Sequence, residues 1–390
     1  MPVRCAILPP VPVPYREPLF ARLAQRGRIS PRVIYLAGGQ PGWDQRPDWF
    51  ASGGEYEAEV LRSWQRRRPG RTPLMLVRGL GGALRRARAE VVVCSEYGPA
   101  TWRALAWCRL RRRGLVVMSE LTPWSDPMLT PLQLRIHRLL APRVDGFVVF
   151  SSQGVTRLER MGVDPARVEV SVQSADLDSL RPVARGRSRS ERDGPVRVLS
   201  VGRLVPDKNL ALLIEAFAEA RFDRGEAELC LCGTGPLEGE LRDLAARLGA
   251  PVRFRGYAAP AELPGIYGEA DLLALVSTYE PFGVTVREAA AAGLPLICTE
   301  RAGAAGDVAV EDVNALLVDP EDRGAVAGAL RRLVRDAPLR ERLGQGSVAL
   351  TERHPLDADV EAFERAVLRA ASRSAPARPP PPRSAPPPPA

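Results

Sequence analysis

Residues 196–217 read VRVLSVGRLVPDKNLALLIEAF, and their pattern indicates the fold class more clearly than any other segment of the chain. Its first six residues form a short, valine-rich run that is typical of a buried parallel strand, and Gly202 then permits a tight turn. Apolar residues recur after the turn with the spacing of one helix face, at Leu210, Leu213, Ile214 and Phe217. A strand that turns directly into a helix is the repeating unit of a doubly wound α/β domain.

The same alternation of short apolar strands and helical patterns extends through the rest of the chain. The further strands are VRCAIL, RVIYL, VVVCS, LVVMS and GFVVFSS before residue 180, and AELCLCG, VRFRG, DLLALVS and PLICTE after the opening stretch. The polar residues between the two sets are typical of a linker. We therefore predict an α/β fold with a first doubly wound domain at 1–180, a linker at 181–195, a second domain at 196–356, a C-terminal helix at 357–372 and a disordered, proline-rich tail at 373–390.

The composition is that of a globular protein rather than of a disordered or fibrous one, with 390 residues, 45% hydrophobic and 26% charged. No stretch approaches the roughly 20 apolar residues of a transmembrane helix, and prolines interrupt the apolar residues near the start, which argues against a signal peptide. We therefore expect a cytoplasmic protein. The six cysteines show no CxxC spacing and no nearby histidine, so we interpret them as buried free thiols rather than zinc ligands.

Two cations lie on the loop that follows the strand of residues 196–201. They are Arg203 and Lys208, and Lys208 is the only lysine among the 55 Lys and Arg residues. The N-terminus of the next helix, which Asp207 or Asn209 could cap, favours an anion through its free N–H groups and its dipole. Lysine is a compact point charge that can follow a flexible diphosphate, whereas arginine offers a planar fork. The loop therefore predicts a phosphate site, although a single lysine could also stand there by chance.

A second loop follows the strand DLLALVS, in residues 278–295 with the sequence TYEPFGVTVREAAAAGLP. Glu280 lies on the loop, and Glu288 lies one turn into the helix that follows. The carboxylate of Glu280 can accept hydrogen bonds from sugar hydroxyls, and that of Glu288 from a second polyol. Three N–H groups at the helix start point at an anion between them, those of Gly283, Val284 and Thr285. The layout suits a sugar, a diphosphate and a ribose.

At these residues the sequence resembles glycosyltransferase family 4, whose members are retaining enzymes that use nucleotide-sugar donors. The family pattern E-x-F-G-x-x-x-x-E is matched by Glu280, Phe282, Gly283 and Glu288, and the phosphate motif G-R-L-x-x-x-K by Gly202, Arg203, Leu204 and Lys208. Three further motifs follow in the family's order: LCGTGP at 231–236, VRFRGY at 252–257 and EDVNALLVDPED at 311–322. The resemblance covers nearly all of the second predicted domain. It implies a GT-B fold, in which two Rossmann-like doubly wound domains face a central cleft.

The resemblance also implies a role for each matched residue. Arg203 and Lys208 would bind the donor diphosphate, Glu288 would contact the ribose, and Glu280 would contact the transferred sugar. The candidate catalytic residues are therefore Glu280, Arg203 and Lys208. The other implied donor-binding residues are Gly202, Gly233, Gly235, Gly256, Tyr257, Phe282, Gly283, Val284, Thr285 and Glu288, with Gly256 and Tyr257 bordering the base. The resemblance also implies a nucleoside-diphosphate sugar as the co-substrate, with no metal and no other cofactor, which fits a site where two cations and a helix N-terminus already neutralise the diphosphate.

The first predicted domain matches the family less well. Many members have a glycine-rich loop after the first strand, whereas residues 9–20 here read PPVPVPYREPLF, and a proline has no N–H group to donate. Tyr15 and Arg16 of this loop are candidates for the acceptor side of the cleft, although Tyr15 could equally belong to the core. Glu96 and Glu120 follow two strands and should face the cleft, where either could contact the acceptor or cap a helix.

The two histidines bear on the stereochemistry of transfer. An inverting enzyme needs a general base for the acceptor hydroxyl, and neither His137, within a helical pattern, nor His354, before a proline, is placed like one. Retention, which the resemblance implies, is therefore favoured, with a donor phosphate oxygen accepting the proton. Glu96 or Glu120 as the base is the inverting alternative. A non-catalytic nucleotide-sugar-binding module and a GT-B sugar-nucleotide epimerase are the other interpretations of the chain.

Basic residues cluster in the first third of the chain, at residues 66–71, 85–88 and 102–113, and the formal net charge is +9. A solvated arginine face is one explanation of such clusters. Trp102 and Trp107 share the last cluster, and indoles with arginines also suit an anionic membrane surface. We expect an acceptor that is a glycan or a lipid-linked sugar of polysaccharide or glycolipid synthesis, reached at the inner face of the membrane. We expect no nucleic-acid partner.

Overall fold

Two parallel sheets form the framework of the chain in this computed structural model, which describes residues 1–39, 55–68, 71–173, 175, 177–185 and 194–374. The apolar runs of the sequence are the central strands of these sheets. All residues of Leu272–Leu275 and of Leu296–Thr299 are buried, as expected where helices cover both faces of a parallel sheet. The predicted α/β class with two doubly wound domains is confirmed.

Within the described residues, the first half of the chain contributes nine strands: β1 (Val3–Leu8), β2 (Ile29–Tyr35), β3 (Glu57–Val60), β4 (Ser63–Arg68), β5 (Arg71–Val77), β6 (Val91–Ser95), β7 (Gly114–Ser119), β8 (Gly146–Val149) and β9 (Val168–Val170). Seven of them form a parallel sheet in the order β3-β2-β1-β6-β7-β8-β9, and β4 and β5 form an antiparallel hairpin. The helices of this half are α1 (Glu17–Arg26), α2 (Leu80–Arg86), α3 (Pro99–Arg111), α4 (Pro131–Leu140), α5 (Ser152–Glu159) and α6 (Arg181–Arg185).

The second half forms a parallel sheet of six strands: β10 (Val196–Val201), β11 (Ala227–Cys232), β12 (Val252–Gly256), β13 (Leu272–Leu275), β14 (Leu296–Thr299) and β15 (Ala315–Val318). Their order is β12-β11-β10-β13-β14-β15. The helices are α7 (Leu210–Glu219), α8 (Glu238–Leu248), α9 (Leu263–Glu269), α10 (Val284–Ala291), α11 (Arg323–Arg335), α12 (Ala337–Arg353) and α13 (Leu356–Ser374).

The strand order reverses once in each sheet, between β1 and β6 in the first and between β10 and β13 in the second. Ligands of doubly wound sheets bind in the crevice that opens at such a reversal, beyond the carboxyl ends of the strands. In the second sheet the loops at this point are 202–209 and 276–283. In the first sheet they carry Tyr15, Arg16 and Glu96. The topology therefore brings the candidate residues of each domain to one crevice.

The C-terminal helix α13 packs on the first sheet, although it follows the second sheet in the chain. Val360, Phe363 and Val367 are fully buried in the core that contains the first-sheet strands. A Cβ atom built on Gly114 of β7 would lie 2.8 Å from the carbonyl oxygen of Ala370, which shows how closely the strand and the helix approach. The chain therefore crosses between the domains twice, after β9 and after α12.

The domain boundaries differ in detail from those predicted. Residues 181–185 of the predicted linker form α6, and residues 373 and 374 of the predicted tail are the end of α13. Residues 186–193 of the linker and 375–390 of the tail lie outside the described residues.

Five strands of the structure were not among those predicted from the sequence: β3, β4, β5, β9 and β15. Two of them, β5 and β15, do contain apolar runs, PLMLV and ALLV. The residues of β3 read EAEV and none of them is buried, because the strand forms one edge of its sheet. At the other edge β9 has only three residues, and β4 is rich in arginine. Edge strands are often short and charged, so hydrophobic periodicity does not identify them. Among the described residues, no helix combines the length and the apolar composition that crossing a membrane requires.

Candidate active site

The first loop of the site connects β10 to α7 and is bound to the loop that follows β11. The N–H of Gly202 donates to the carbonyl oxygen of Cys232 at 2.9 Å, and that of Leu204 to Thr234 at 3.0 Å. Gly233 has a φ of +144°, and a Cβ atom there would lie 1.8 Å from the carbonyl oxygen of Gly202. Only glycine fits at this position, because any side chain would force the two loops apart.

Two more glycines named from the motifs lie at these loops, Gly235 at a close approach of backbones and Gly256 with open space around it but a φ of +82°. A Cβ atom on Gly235 would lie 2.3 Å from the carbonyl oxygen of Leu204. The carbonyl oxygen of Gly256, at the end of β12, accepts the N–H of Gly233 at 2.7 Å. The loops after β10, β11 and β12 therefore form one connected floor. The predicted caps of α7 do not form, because the side-chain amide of Asn209 donates instead to the carbonyl oxygen of Pro320 at 2.8 Å.

Lys208 ends a 3₁₀ turn, Pro206–Lys208, and its ammonium donates to Oε2 of Glu280. The side chains of Lys208 and Glu280 are 20% and 12% exposed, and Ser277 Oγ lies 3.4 Å from the same carboxylate oxygen. Arg203 is exposed and lines a small recess together with Lys208. The structure thus brings into contact two residues that are 72 positions apart and that were predicted from separate motifs.

The loop that carries Glu280 is held through its backbone by residues 302–304. The N–H of Gly303 donates to the carbonyl oxygen of Glu280 at 3.0 Å, and that of Ala304 to Phe282 at 2.8 Å. The side chain of Phe282 is 2% exposed and packs in the hydrophobic core. The side chain of Phe282 therefore anchors the loop in the core, and a donor contact by this residue stays a prediction for its backbone.

Helix α10 begins at this loop and carries the second glutamate. Its N-cap residue, Gly283, has a φ of +93°, a conformation that favours glycine. The helix therefore starts abruptly, with the N–H groups of Val284 and Thr285 among the first of the helix. Glu288 Oε2 accepts a hydrogen bond of 2.6 Å from the hydroxyl of Tyr267. Burial and the charge of Glu288 raise the pKa of Tyr267, so this hydroxyl stays protonated.

A cleft of about 140 Å³ opens between these loops and the first domain. The residues that line it include Tyr15, Gly202, Gly233, Tyr257, Val284, Thr285 and Glu288. Tyr15 comes from the first domain, and burial, followed by the charge of Glu120, raises its pKa to about 12. Both interpretations of Tyr15 apply in part, because its ring packs against the cluster of Val11, Val13 and Ala37 and it also lines the cleft.

The other first-domain candidates form a polar cluster at the ends of β6 and β7. Arg16 is 8% exposed and contacts the carboxylate of Glu120. Glu96 Oε1 accepts the N–H of Glu120 at 2.6 Å, and Oε2 accepts the hydroxyl of Ser119 at 2.8 Å. Burial raises the pKa of Glu96 to about 7, although both hydrogen bonds act to lower it. The alternative in which Glu96 caps a helix does not apply, because α3 starts after Gly98 without a side-chain cap.

Three residues near the cleft were not predicted from the sequence: Tyr279, Arg301 and Tyr267. The hydroxyl of Tyr279 lies close to Ser125 and Glu96 of the first domain, and burial raises its pKa. The Arg301 guanidinium lies 5.4 Å from the centre of the Trp124 ring. Tyr267, the partner of Glu288, was missed as well. Tyr279 directly precedes Glu280, and that position in the motif is the one signal that could have identified it.

Neither histidine lines the cleft. His137 stacks on Tyr97 with 4.4 Å between ring centres, and its Nδ1 lies 3.1 Å from a guanidinium nitrogen of Arg157. Burial and the charge of Arg157 lower the pKa of His137 to about 4. His354 ends α12, where its carbonyl oxygen accepts a hydrogen bond from Arg287. In the described part of the chain, no group of three or more His, Cys, Asp or Glu side chains is arranged to hold a metal ion.

Two family models match the chain, one for each domain. The model described as "Glycosyl transferase 4-like domain" matches residues 12–171, and "Glycosyl transferases group 1" matches residues 186–348. Among curated proteins, the D-inositol 3-phosphate glycosyltransferase of Salinispora arenicola is 37% identical over 211 residues, which are 49% of this chain and 47% of that protein. The chain thus spans about half the length of the curated relatives it matches.

Solved structures match over nearly the whole chain. HepE of Anabaena, in complex with UDP and glucose, has a TM-score of 0.71 and covers 94% of this chain and 99% of its own at 20% identity. Sucrose-phosphate synthase of Thermosynechococcus elongatus has a TM-score of 0.73 and covers 93% and 97% at 19% identity. At these identities the likeness concerns the fold, which is GT-B. With one family model on each of its two domains and this fold, the chain belongs to the family 4-like glycosyltransferases.

Proposed function

We propose that the protein transfers a sugar from a nucleoside-diphosphate sugar to a hydroxyl group of a glycan or a lipid-linked acceptor. The observation that carries this proposal is the contact between Lys208 and Glu280 beside a cleft that also holds the start of α10 and Glu288. One cation and a set of N–H groups suit a diphosphate, and two carboxylates suit the hydroxyls of two sugars. Support comes from the relative with 37% identity and from the UDP and glucose in the HepE structure.

Each residue of the cleft has a role in the proposed donor complex. The diphosphate lies near Lys208 and Arg203 and faces the N–H groups at the start of α10. Negative charge develops on the leaving diphosphate as the glycosyl bond breaks, and fixed positive groups stabilise that charge without reorganisation. Glu288, oriented by Tyr267, accepts hydrogen bonds from the ribose, and Glu280 accepts them from the transferred sugar.

We propose transfer with retention of the anomeric configuration. The inverting alternative needs Glu96 or Glu120 as general base. Both oxygens of Glu96 already accept hydrogen bonds, from the N–H of Glu120 and the hydroxyl of Ser119, and the carboxylate of Glu120 contacts the Arg16 guanidinium. A donor phosphate oxygen is then the better proton acceptor. Proton NMR of the first product formed distinguishes the two outcomes, because the anomeric coupling constant reports the configuration directly.

We also propose that catalysis needs no metal ion, because Lys208, Arg203 and the start of α10 supply the positive charge that a metal would supply. Activity that persists after dialysis against EDTA supports this proposal. Activity that disappears and returns with Mg²⁺ or Mn²⁺ would contradict it.

A membrane-bound acceptor is supported by the outer helices of the first domain. Helices α2, α3 and α4 contain no Asp or Glu. Large apolar side chains are exposed on α3 and α4: Trp102 by 42%, Leu110 by 86%, Leu132 by 66% and Leu139 by 57%. Trp107, by contrast, packs against the core and does not join them. Arg109 on α3 donates to the carbonyl oxygen of Arg143, which joins the ends of the two helices. We propose that the exposed side chains of α3 and α4 dock reversibly on an anionic membrane.

Sedimentation with vesicles tests the docking proposal. The docking proposal predicts binding to phosphatidylglycerol vesicles that falls with salt and is absent with vesicles of phosphatidylcholine alone. The binding should weaken in Leu110→Ser but not in the control Leu248→Ser, because Leu248 is also exposed, by 44%, but lies on the second domain. Equal binding by both variants, or no binding at low salt, would point to a soluble acceptor.

The transfer proposal itself is tested with a panel of UDP-, GDP-, ADP- and dTDP-sugars. A donor should raise the melting temperature by mass action, and the same donor should be hydrolysed slowly in the absence of an acceptor. Binding without any hydrolysis or transfer would favour the non-catalytic module. Conversion of one nucleotide sugar into its epimer would favour the epimerase.

A further inference from the structure

Arg287 lies on α10, directly before Glu288, and its side chain is 3% exposed. Its Nη1 donates to the carbonyl oxygens of Val172 at 2.7 Å and of Gln173 at 2.5 Å. Its Nη2 donates to the carbonyl oxygen of His354 at 2.8 Å and to Asp359 at 2.9 Å. One guanidinium therefore binds four acceptors, all of them outside α10.

These four acceptors lie where the chain passes from one domain to the other. Val172 and Gln173 follow β9, the last strand of the first sheet, and lead toward the second domain. His354 ends α12 of the second domain, and Asp359 lies in the first turn of α13, which packs on the first sheet. The segments of both crossings, after β9 and after α12, are thus hydrogen-bonded to the side chain of Arg287.

Asp359 completes the arrangement. Its side chain is 4% exposed, and its carboxylate contacts the Arg287 guanidinium at 2.9 Å. A buried ion pair contributes little stability beyond that of well-packed apolar residues, so stability alone gives no reason to place an arginine here. The planar fork of arginine, however, can hold several acceptors in one fixed geometry, which lysine cannot do.

The same short helix carries the residues that line the cleft. Thr285 and Glu288 face it, and Tyr15 faces it from the first domain. Because α10 has only eight residues, a displacement at Arg287 moves Glu288 and the N–H groups at the start of the helix together. The position of Arg287 therefore couples the donor side of the cleft to both interdomain crossings.

We infer that Arg287 is a positioning residue that sets the first domain in register with the donor helix through the two crossings, without contacting any substrate. The inference rests on the proposed glycosyl transfer. It predicts that loss of Arg287 leaves the binding of a nucleoside diphosphate to the second domain nearly intact and lowers turnover, because the groups of the first domain no longer meet the donor correctly.

The test compares Arg287→Met, Arg287→Lys and Asp359→Asn with Arg340→Met. Arg340 is a matched control, since it also donates to two carbonyl oxygens, those of Leu333 and Val334, but within the second domain. Donor hydrolysis should fall by about 100-fold in Arg287→Met, as expected when reacting groups are misplaced by about an ångström, with partial activity in Arg287→Lys and little change in Arg340→Met. Calorimetric affinity for UDP, GDP or ADP, whichever the wild type binds, should change little.

Small-angle scattering supplies a readout that does not depend on activity. The distribution of interatomic distances should extend to larger values in Arg287→Met and Asp359→Asn, and not in Arg340→Met. The inference is overturned if both Arg287→Met and Asp359→Asn have wild-type turnover and wild-type dimensions. If Arg287→Met does not fold, the same two measurements on Asp359→Asn, which preserves side-chain size, decide whether the inference holds. If the wild type binds no nucleotide, the proposed function fails, while the scattering result still decides the role of Arg287.

Discussion

The contact between Lys208 and Glu280 predicts that removing the lysine and removing the glutamate change the affinity for a nucleoside diphosphate in opposite directions. A bound diphosphate must share Lys208 with Glu280, and the carboxylate repels the diphosphate. Lys208→Met should therefore weaken nucleoside-diphosphate binding, whereas Glu280→Gln should strengthen it. Sugar release should nevertheless slow in both variants, because Glu280 is proposed to contact the transferred sugar.

The magnitudes follow from the burial of the pair. Two unit charges 4 Å apart attract by about 4 kcal/mol at an effective dielectric constant of about 20. Because the side chains are 20% and 12% exposed, desolvation offsets most of this attraction. We expect Glu280→Gln to tighten binding by about 1 kcal/mol, roughly fivefold. Lys208→Met should lose a charged hydrogen bond of about 1.5–3 kcal/mol, a weakening of about 10- to 150-fold.

Isothermal titration calorimetry of four proteins measures these effects: the wild type, both single variants and the double variant. The nucleoside diphosphate is the one among UDP, GDP and ADP that the wild type binds most tightly. Loss of Lys208 should cost more in the Glu280→Gln background, where the lysine is not shared, and this difference is the coupling energy of the cycle. Arg242→Met is the control, because it removes one positive charge from an exposed pair on α8. Wild-type affinity in Lys208→Met, or equal weakening by both single variants, would contradict the predicted competition between Glu280 and the diphosphate for Lys208.

Three other predictions concern stability and donor recognition. Burial raises the pKa of Glu96 from 4.5 to about 7. Between these two pH values the folded protein keeps a proton that the unfolded chain has lost, so the free energy of unfolding falls by at most about 3 kcal/mol as the pH rises from 4.5 through 7. Urea titrations should therefore show Glu96→Gln gaining stability relative to the wild type between about pH 5 and pH 8; a constant difference would contradict this. Gly233→Ala should lower the free energy of unfolding by more than about 3 kcal/mol, because the new Cβ would overlap a carbonyl oxygen. Gly239→Ala, which has open space around its Cβ position, should stabilise α8 slightly, and thermal melts compare the two variants. Glu288→Gln should raise the KM for the donor more than it lowers kcat, since the ribose contact is made before and during the reaction, and steady-state kinetics with equal effects on both constants would argue against a ribose contact.

The sequence predicts the central strands and the convergence of the two motif loops for a physical reason. Buried parallel strands are continuous apolar runs, and the carboxyl ends of parallel strands lie at the same edge of a sheet. Residues of the loops after β10 and β13 must therefore lie near one another, although the contact of Lys208 with Glu280 itself is a side-chain detail that periodicity does not encode.

The features that the sequence does not reveal depend on packing between distant segments. An amphipathic pattern indicates that one face of α13 is buried, but not that it packs on the first sheet. Phe282 looks like a ligand-binding residue within its motif, and only the packed structure shows it in the core. Arg287 looks like a surface residue of a helix, because its four acceptors come from segments that lie more than 60 positions away.

In the proposed reaction, the bond between a sugar and a nucleoside diphosphate is cleaved in the cleft beside Lys208. The most direct measurement is the rate of nucleoside-diphosphate release from a saturating nucleotide sugar by the wild type, Lys208→Met and Arg242→Met. We predict release by the wild type and by Arg242→Met, and a rate lower by about 2.7–4 kcal/mol of transition-state stabilisation, about 100- to 1,000-fold, in Lys208→Met. No release by the wild type from any of the UDP-, GDP-, ADP- or dTDP-sugars, or the same rate in Lys208→Met, would contradict this proposed reaction.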